Sequence, residues 1–541
     1  MKKVILKHAL ANAIQYGKAD EKAVLGKVLS EKPKLKKDIK KVKSEIKKII
    51  KEINKWSLEK QKKELKKLGY RKPGKRERIG LPPLPHAKGK TVMRLAPFPS
   101  GMFHIGRARM AILNDEYVKK YKGKLLLVID DTIGSKEKIP TKEAIEGIPE
   151  DLKWLGIKFN KTIYKSDRLE IFYKYAEKFL KNHWAYVCTC SPNKLRYNRR
   201  KGIACECRER SSKENLKEWK KMLKGKYKEG EAIVRLKTNL KDPDVAFRDR
   251  VLLRISNREH PRVGKKYHVW PLLEFSWAID DHLLKITHIL RGKDLVMEDK
   301  MERYMWDLLK WKPPVIIHHG LLRIRGVIIS TSSVRRKIAK GIYSGWDDPR
   351  TWTLRSLKKR GIQPQALRNF IISMGLTISD AEVPIDVIYA ENRKIIDPKA
   401  NRYFFVAEPI EITLDKLITR SVKAPIYPGK RKYRKIPVTK KIFVEKQDFV
   451  AYRNKEVRLM HFCNILLNKK SKYKSKKLKD IPKIHWVSKN VKIKIVMPNG
   501  KTIKGLAEPE IRKVKKDQIV QFERIGFARC EKKGLFYFAH K

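Results

Sequence analysis

The sequence predicts a multidomain α/β chain with a helical N-terminal extension and a C-terminal all-β unit. Residues 1–86 repeat apolar side chains at helical spacing. Residues 91–97 and 125–129 are short apolar runs, which are typical of buried parallel strands. Beyond residue 386, short apolar segments alternate with turns, as expected of a β unit. With 541 residues, the chain has room for roughly two to five domains.

The chain is strongly basic. It carries 130 Lys and Arg against 58 Asp and Glu, a formal net charge of +72. Such a charge repels itself unless a polyanion neutralises part of it. Nucleic acid does so with release of condensed counterions. A lysine-rich source proteome and an anionic membrane surface are the alternatives. No apolar run approaches the roughly 18 residues needed to span a bilayer, so we expect no membrane partner.

The N-terminal 86 residues predict helices covered by lysine. Residues 1–17 lack the long apolar stretch and the cleavage site of a signal peptide, and they predict an amphipathic helix. Spacings of four and three then predict one apolar stripe on a long helix, formed by Leu35, Ile39, Val42, Ile46, Ile49, Ile53 and Trp56. The lysine-rich face suits either solvent or an RNA backbone. Prolines in residues 80–85 break the helix and predict a linker.

Residues 91–107 predict a strand, a Pro/Gly turn and a helix that opens at His104. Backbone N–H groups and the positive end of that helix suit a triphosphate. His104 could donate to phosphate oxygens, and Gly106 would let a ligand approach the backbone. The strand at 125–129 ends in Asp130, at the edge where parallel strands bind ligands. Alone, this pattern also describes an ordinary strand-to-helix turn.

The wider sequence around this turn carries a family resemblance. Residues 94–107, RLAPFPSGMFHIGR, resemble the form R-x-A-P-x-P-S-G-x-x-H-I-G-H-A of the class I aminoacyl-tRNA synthetases of the glutamyl/glutaminyl subgroup. Similarity to the archaeal glutamyl type continues in order at residues 8–29, 108–124, 175–190, 260–271, 279–294, 343–364 and 396–406. The resemblance implies a Rossmann-type catalytic domain, ATP with Mg²⁺ as substrate, an aminoacyl-adenylate intermediate and transfer to tRNA.

The resemblance also implies the site residues. It assigns catalytic roles to His104, Gly106, Arg107, Ser330 and Ser332. It assigns ATP contacts to Pro97, His104, Gly106, Ile329, Ser330 and Thr331. It assigns amino-acid contacts to Arg94, Ala96, Asp130 and Arg291. Two arginines suit the two carboxylates of glutamate, and Asp130 suits its ammonium. Arg291 disfavours the glutaminyl alternative, because a buried guanidinium facing a neutral amide would lack a partner. Asp280, Asp281 and His282 match a family D-D-H motif that we interpret as scaffolding of the site.

Four cysteines form two close pairs. Cys188 and Cys190 are followed, after 14 residues, by Cys205 and Cys207. This arrangement suits tetrahedral Zn²⁺, with four reduced thiols as the alternative. The resemblance places them in an insertion that binds the acceptor end of tRNA. The zinc would be structural, because protein ligands fill all four positions. Cys463 and Cys530 are isolated, and we expect them to be buried.

Several residues depart from the family pattern. Arg107 replaces the second His of the HIGH signature, and Ile328 and Thr331 replace the two lysines of the KMSKS loop. Leu272 and Leu273 stand where Thr and Tyr are expected, and Phe98 and Leu321 are also apolar. Loss of one transition-state donor commonly costs about 100- to 1000-fold in rate. A catalytically weakened paralogue that only binds tRNA is therefore the main alternative. The ordered motifs argue against an unrelated basic RNA-binding protein.

Together, these observations predict a cytoplasmic monomer that joins L-glutamate to tRNA(Glu), with tRNA(Gln) as an open second substrate. The predicted fold combines the Rossmann-type domain with an α+β insertion, a helical stem-contact region and C-terminal β-barrels. The predicted boundaries are 1–86 for the extension, 87–187 and 261–325 for the two catalytic halves, 188–260 for the insertion, 326–385 for the signature loop and stem-contact region, and 386–541 for the anticodon-binding barrels.

Overall fold

A computed structural model describes residues 1–70, 80–87, 89–133, 139–327, 329–427 and 432–541. The chain divides into two compact units, Met1–Ile79 and Gly80–Lys541. Within the described residues, no helix combines the length and the apolar character needed to cross a membrane.

The N-terminal unit is a small helical bundle. Its helices are α1 Lys2–Tyr16, α2 Glu21–Glu31, α3 Ile39–Ile53 and α4 Leu58–Lys67. The core contains Ile5, Ala9, Leu10 and Ala13 of α1, Val24 and Val28 of α2, and Val42, Ile46, Ile50 and Ile53 of α3. Asp20 and Ser57 cap α2 and α4 by accepting hydrogen bonds from backbone N–H groups.

The predicted single long helix across residues 35–56 is wrong. Residues Pro33–Asp38 form a 3₁₀ helix, and α3 begins only at Ile39. Pro33 opens this tight turn because its ring fixes φ. At the other end, α3 stops at Ile53, and Trp56 lies in the turn before α4. Ile39 is 39% exposed, whereas Ile50, outside the predicted stripe, is buried.

The second unit begins with alternating strands and helices. Its elements up to residue 283 are β1 Val92–Leu95, α5 Ile105–Lys120, β2 Lys124–Ile129, α6 Lys142–Trp154, β3 Lys161–Tyr164, α7 Leu169–Lys181, β4 Ala185–Cys188, α8 Pro192–Lys201, α9 Ser212–Leu223, β5 Ile233–Leu236, β6 Val251–Ile255, β7 Val269–Pro271 and α10 Leu273–Leu283. Those from 288 to 396 are β8 His288–Gly292, α11 Val296–Leu308, β9 Val315–His319, β10 Leu322–Ile324, α12 Thr331–Ala339, α13 Leu354–Arg360, α14 Pro364–Met374, β11 Ala381–Val383 and α15 Asp386–Ile396.

Parallel strands form the centre of this unit. Strands β1, β2 and β3 pair in that order, and β8 pairs with β9, all in parallel. The backbone N–H of Thr287, just before β8, donates to the carbonyl of Val92 in β1 at 2.9 Å. The spatial order is therefore β3-β2-β1-β8-β9, a doubly wound arrangement that reverses direction at β1. Helices α5 and α6 bury their apolar faces against this sheet.

The segment between β3 and α10 contains an α+β insertion. Strands β4, β5, β6 and β7 form an antiparallel sheet that includes residues on both sides of the predicted 188–260 range. Helix α9 packs on it through Trp219 and Met222. Its N-terminus has a capping box, in which Ser211 and Glu214 satisfy each other's backbone N–H groups.

In the described residues of the C-terminal part, two seven-stranded sheets and one two-stranded hairpin form. Its elements are β12 Asn401–Tyr403, β13 Phe405–Ala407, β14 Pro409–Leu414, β15 Ser421–Pro425, β16 Tyr433–Pro437, β17 Lys441–Glu445, α16 Lys446–Tyr452, β18 Glu456–Leu459, β19 Asn464–Leu466, β20 Lys470–Ser475, β21 Lys483–Ile484, β22 Trp486–Val487, β23 Val491–Val496, β24 Thr502–Ala507, β25 Ile519–Phe522, β26 Gly526–Lys532 and β27 Leu535–His540. One sheet runs from β12 to β13 and the other from β21 to β22. A single residue separates the two edge strands of each sheet, so both sheets are nearly closed barrels.

Most predicted elements of the second unit are confirmed. Strands β1 and β2 and helix α5 form, and the C-terminal part contains the expected short strands separated by turns. Strand β3 was not predicted. The predicted β unit from residue 386 begins later, because α15 occupies Asp386–Ile396 and the first strand starts at Asn401.

Candidate active site

The predicted site residues lie at the carboxyl ends of the parallel strands. Arg94 is in β1, Asp130 follows β2, and Arg291 is the second-to-last residue of β8. The backbone N–H of Asp130 donates to the carbonyl of Pro97 at 3.0 Å, which joins the ends of β1 and β2 beside half-buried Ala96. Because the strand order reverses at β1, this is the crevice in which doubly wound sheets bind ligands.

His104 and Gly106 lie at the N-terminus of helix α5, which we call its mouth. His104 is the N-cap residue, and its buried Nδ1 has no hydrogen-bond partner within the described residues. Desolvation and the neighbouring Arg107 lower the pKa of His104 to about 3, so its ring is neutral near pH 7. A Cβ on Gly106 would lie 3.1 Å from the His104 ring, so glycine leaves room for that ring. The arrangement offers a neutral imidazole at a positive helix end.

Arg107 is turned toward the Pro/Gly turn. Its Nη1 donates to the carbonyl of Phe98 at 3.4 Å, and its guanidinium lies 6.0 Å from the Phe103 ring. Burial lowers the pKa of Arg107. Gly101 in the same turn approaches Thr331 and Trp346 so closely that a Cβ would overlap both side chains. The turn is therefore packed against the start of α12.

Part of the predicted signature loop is helical, because Thr331, one of its two lysine-replacing positions, already belongs to α12. Helix α12 begins at Thr331, and Ser330 is its N-cap, accepting a hydrogen bond from the backbone N–H of Ser333 at 3.3 Å. The Ser330 and Ser332 hydroxyls lie 3.2 Å apart. Ile329 packs against the core beneath the parallel sheet, and Ile328 lies outside the described residues. The two serines thus stand at a second positive helix end.

Arg94 and Arg291 lie against the same aromatic ring. Their guanidinium carbons are 4.7 Å and 5.3 Å from the centroid of Trp277 in α10. Each is held by acidic residues of the protein. Asp281 binds Arg94 through both oxygens, at 2.5 and 2.8 Å. The two arginines predicted to contact the amino acid therefore lie close together, at the ends of β1 and β8.

Arg291 is bound more heavily than Arg94. Glu302 in α11 accepts two hydrogen bonds from it at 2.9 Å, and Asp299 accepts further ones. Burial opposes the charge, but Glu302 and Asp299 raise the pKa of Arg291. Burial raises the pKa of Glu302 to about 7. Both guanidinium groups are therefore fixed in position before any ligand binds.

Asp130 is completely buried and already has a cationic partner. Lys165, directly after β3, donates to Asp130 Oδ2 at 3.2 Å and to the Ser276 hydroxyl at 2.6 Å. The Thr132 hydroxyl donates to Asp130 Oδ1 at 3.0 Å. Desolvation lowers the pKa of Lys165, while Asp130 acts against that shift. The ammonium of Lys165 also lies 5.3 Å from the Trp277 ring centroid.

The D-D-H residues act through other side chains. Asp281 holds Arg94, and Asp280 accepts from Arg168 at 2.8 Å. His282 stacks on Trp311 with ring centroids 3.8 Å apart. These contacts agree with their interpretation as scaffolding.

The four clustered cysteines converge at one point of the insertion. Their sulfurs lie within 4.8 Å of one another, with Cys188 and Cys205 at 3.9 Å and Cys190 and Cys207 at 4.0 Å. Tetrahedral zinc with Zn–S bonds of about 2.3 Å separates its sulfurs by about 3.8 Å. The cluster is therefore compatible with zinc. Cys463 and Cys530 are buried elsewhere, as expected.

Sequence reasoning missed the residues that complete the site. Lys165, Ser276 and Trp277 are buried beside Asp130 and the two arginines, and Glu302 with Asp299 anchors Arg291. Only Lys165 carried a usable signal, because it directly follows a strand, as Asp130 does. Strand β3 is too short to be recognised from its apolar pattern, so the sequence alone does not single out Lys165.

Comparisons with known proteins agree with this architecture. Residues 90–398 match the catalytic domain of tRNA synthetases class I (E and Q), and residues 400–484 and 483–531 match two anticodon-binding domains of that family. A glutamate–tRNA ligase of Pyrococcus furiosus is 45% identical over 573 residues, with 100% of both chains covered. A glutamate–tRNA ligase of Methanocaldococcus jannaschii is 42% identical, with 98% of both chains covered. A crystal structure of a glutamate tRNA ligase from Elizabethkingia meningosepticum is 19% identical at a TM-score of 0.41, covering 57% of this chain and 69% of that one, a likeness too remote to inform the site.

The doubly wound sheet, with helix mouths beside its switch point, defines a nucleotide-binding α/β domain. With the family match over more than half of its length, the chain belongs to the class I tRNA synthetases (E and Q).

Proposed function

We propose that this chain is a glutamate–tRNA ligase. A carboxylate oxygen of glutamate attacks the α-phosphorus of ATP, and pyrophosphate leaves to give glutamyl-adenylate. A terminal hydroxyl of tRNA then attacks the activated carbonyl, AMP leaves, and the hydroxyl proton passes to solvent. The observation that carries the proposal is the placement of Arg94 and Arg291 on one ring at the ends of β1 and β8, beside the mouth of α5.

The chemistry needs position and charge stabilisation rather than an enzyme nucleophile. ATP with Mg²⁺ would lie over His104 and Gly106, with Pro97 and Ile329 flanking the nucleotide. Because His104 is neutral, it would donate a hydrogen bond to phosphate rather than supply a charge. Ser330, Thr331 and Ser332 at the start of α12 would receive the pyrophosphate end at a helix N-terminus. Arg107 would act indirectly, through the turn that it holds.

The test is ATP–pyrophosphate exchange with glutamate in the presence of tRNA(Glu). We expect exchange from the wild-type chain and about a 100-fold or greater loss in His104→Asn, which removes the imidazole at the helix mouth. His86→Asn is the matched control, because His86 is exposed.

Two outcomes would contradict the proposed function. A folded sample that binds tRNA but shows no exchange would support the catalytically weakened paralogue, which the apolar Leu272 and Leu273 favour. Exchange with glutamine but not with glutamate would support a glutaminyl enzyme.

Charging assays on purified tRNA(Glu) and tRNA(Gln) decide whether the chain has a second tRNA substrate. We propose that it acts as a monomer in the cytoplasm, which light scattering and cell fractionation test.

Zinc at the cysteine cluster is the second part of the proposal. Four thiolates from two short segments would fill a tetrahedral shell and hold α8 against β4, leaving no position open for catalysis. We expect about one zinc per chain by elemental analysis, and loss of that zinc in Cys190→Ser. Cys190 is the least buried of the four, so this change perturbs packing least.

Cys463→Ser is the control for the zinc measurement, because Cys463 is buried in the C-terminal part, away from the cluster. Its zinc content should equal that of the wild type. Protein purified without chelators that contains no zinc, with four titratable thiols at these positions, would establish reduced cysteines instead.

A further inference from the structure

We infer that Lys165 occupies, in this chain, the place where Asp130 would bind the α-ammonium of glutamate, so that the protein competes with its own substrate for Asp130. The inference rests on the proposed function and names a specificity-determining residue for that site. Its basis is one completely buried ammonium group at the end of β3.

The contacts of Lys165 resemble those that a bound amino acid would make. Its ammonium lies 3.2 Å from Asp130 Oδ2 and 2.6 Å from the Ser276 hydroxyl. Ser276 in turn donates to the carbonyl of Leu273 at 3.1 Å. Lys165 and Asp130 are both 0% exposed. A buried carboxylate needs a cation or several donors, and Lys165 already supplies the cation.

The rest of the crevice is also occupied by protein groups. Trp277 is 5% exposed, and its ring centroid lies 4.7 Å from the guanidinium carbon of Arg94, 5.3 Å from that of Arg291 and 5.3 Å from the ammonium of Lys165. The two arginines keep their own carboxylate partners. A guanidinium has five N–H donors, and Asp281 takes only two of those of Arg94, so Arg94 can still donate to a carboxylate of glutamate. The negative charge that would recognise its amine is neutralised.

This arrangement has a direct consequence for ligand preference. As long as Lys165 holds Asp130, the α-ammonium of glutamate gains no ion pair there and must be desolvated without one. A dicarboxylate without an amine avoids that penalty. The wild-type chain should therefore bind glutarate at least as well as glutamate. Removing the lysine charge should restore a preference for the amino acid, because Asp130 would then be free to accept its ammonium.

The experiment measures the dissociation constants of glutamate and glutarate by calorimetry, on the full chain with tRNA(Glu) present. In the wild type we expect the glutarate constant to lie within about threefold of the glutamate constant, or below it. In Lys165→Gln we expect glutamate to bind about tenfold or more tightly than glutarate, since a charge-assisted hydrogen bond is gained. The KM for glutamate should fall by a similar factor in that variant, with kcat changed less than about threefold.

Lys161→Gln is the matched control, because Lys161 is exposed at the start of the same strand. Its ligand preference should equal that of the wild type. Lys165→Met repeats the test without a donor, and the wild-type ratio needs no variant at all, so a folding defect in one variant still leaves a decisive measurement.

The outcomes separate this inference from the proposed function. A wild-type preference for glutamate over glutarate of more than about tenfold overturns the inference, and so does an unchanged ratio in Lys165→Gln. Exchange activity with either of those results leaves the proposed function intact. If the ratio of the glutamate and glutarate dissociation constants shifts as expected but the chain shows no exchange activity, the inference about Lys165 stands and the proposed enzymatic function is wrong. If neither glutamate nor glutarate binds the wild type or the Lys165 variants, both the inference and the proposed function are wrong.

Discussion

At the scale of single residues, Gly106 connects the geometry of a helix with the proposed nucleotide site. It lies in the first turn of α5, where alanine would normally stabilise a helix by up to about 1 kcal/mol. Yet a Cβ there would lie 3.1 Å from two atoms of the His104 ring. The ring must therefore shift if Gly106 gains a side chain. Its unpartnered Nδ1 would no longer stand at the helix mouth.

We expect Gly106→Ala to leave the free energy of unfolding within about 1 kcal/mol of the wild type, because the helix gain offsets the ring displacement. The same change should lower kcat/KM for ATP by about tenfold or more, as a displaced donor no longer meets the phosphate. Steady-state exchange kinetics and thermal unfolding measure the two effects separately.

Gly26→Ala is the matched control, since Gly26 is in helix α2 and a Cβ there would meet nothing within 4 Å. That variant should keep wild-type kinetics. If Gly106→Ala kept them as well, His104 would have no role in binding ATP.

The residue scale also shows where sequence reasoning stopped. Asp130 and His104 were found at a strand end and a helix start, and Arg94 was found through the family motif at residues 94–107. Lys165 and Glu302 were not, because their roles depend on partners that only folding brings near. Lys165 meets Asp130 across 35 residues and Ser276 across 111. Such pairings leave no trace in hydrophobic periodicity.

At the scale of elements, short-range signals predicted most of the fold. Helix α5 and strands β1 and β2 carry strong apolar patterns, and they form as expected. Strand β3 has four residues and one buried side chain, so its pattern is too short to read. The predicted stripe across residues 35–56 is interrupted before Ile39, because Pro33–Asp38 form a 3₁₀ helix with a different number of residues per turn. Tertiary contacts decide such short elements.

One buried ion network links elements of the C-terminal part. Arg434 in β16 donates to Glu508, after β24, at 2.9 and 3.0 Å, and to Glu523, after β25, at 2.6 Å. Its guanidinium also lies 5.2 Å from the Phe404 ring. Arg434 therefore joins the β15–β16 hairpin to the barrel formed by β12, β13 and β23–β27. Loss of Arg434 would leave Glu508 buried without its cation and Glu523 with His461 as its remaining partner.

We expect Arg434→Met to destabilise the C-terminal part by about 3–5 kcal/mol, because it leaves buried charges uncompensated. Lys479→Met breaks a pair with Glu456 in which the two side chains are 44% and 27% exposed, and it should cost less than about 1 kcal/mol. Differential scanning calorimetry compares the two variants. Equal thermal midpoints would show that the Arg434 network contributes no more than a surface pair.

At the scale of the whole molecule, the chain carries far more positive charge than its described ion pairs neutralise. The net charge is +72, and residues 1–70 alone hold 22 lysines against eight Asp and Glu. Helix α3 buries Val42, Ile46 and Ile50 on one face. Its opposite face exposes Lys40, Lys41, Lys43, Lys47, Lys48 and Lys51. In the described part of the chain, none of these six lysines forms an ion pair. A polyanion would release counterions from such a face, whereas a merely solvated face would not respond to RNA.

We expect tRNA affinity to fall about 1000-fold or more between 50 and 200 mM salt, as for proteins that neutralise several phosphates. Changing the six α3 lysines to glutamine should reduce the slope of log Kd against log salt by about 2 or more, since each lost phosphate contact removes about 0.7–0.9. The same six positions changed to arginine keep the charge and should keep the slope. Fluorescence titrations at four salt concentrations measure all three proteins. Equal slopes for the glutamine and arginine variants would mean that the lysine face of α3 only contacts solvent, and that tRNA is held by the second unit alone.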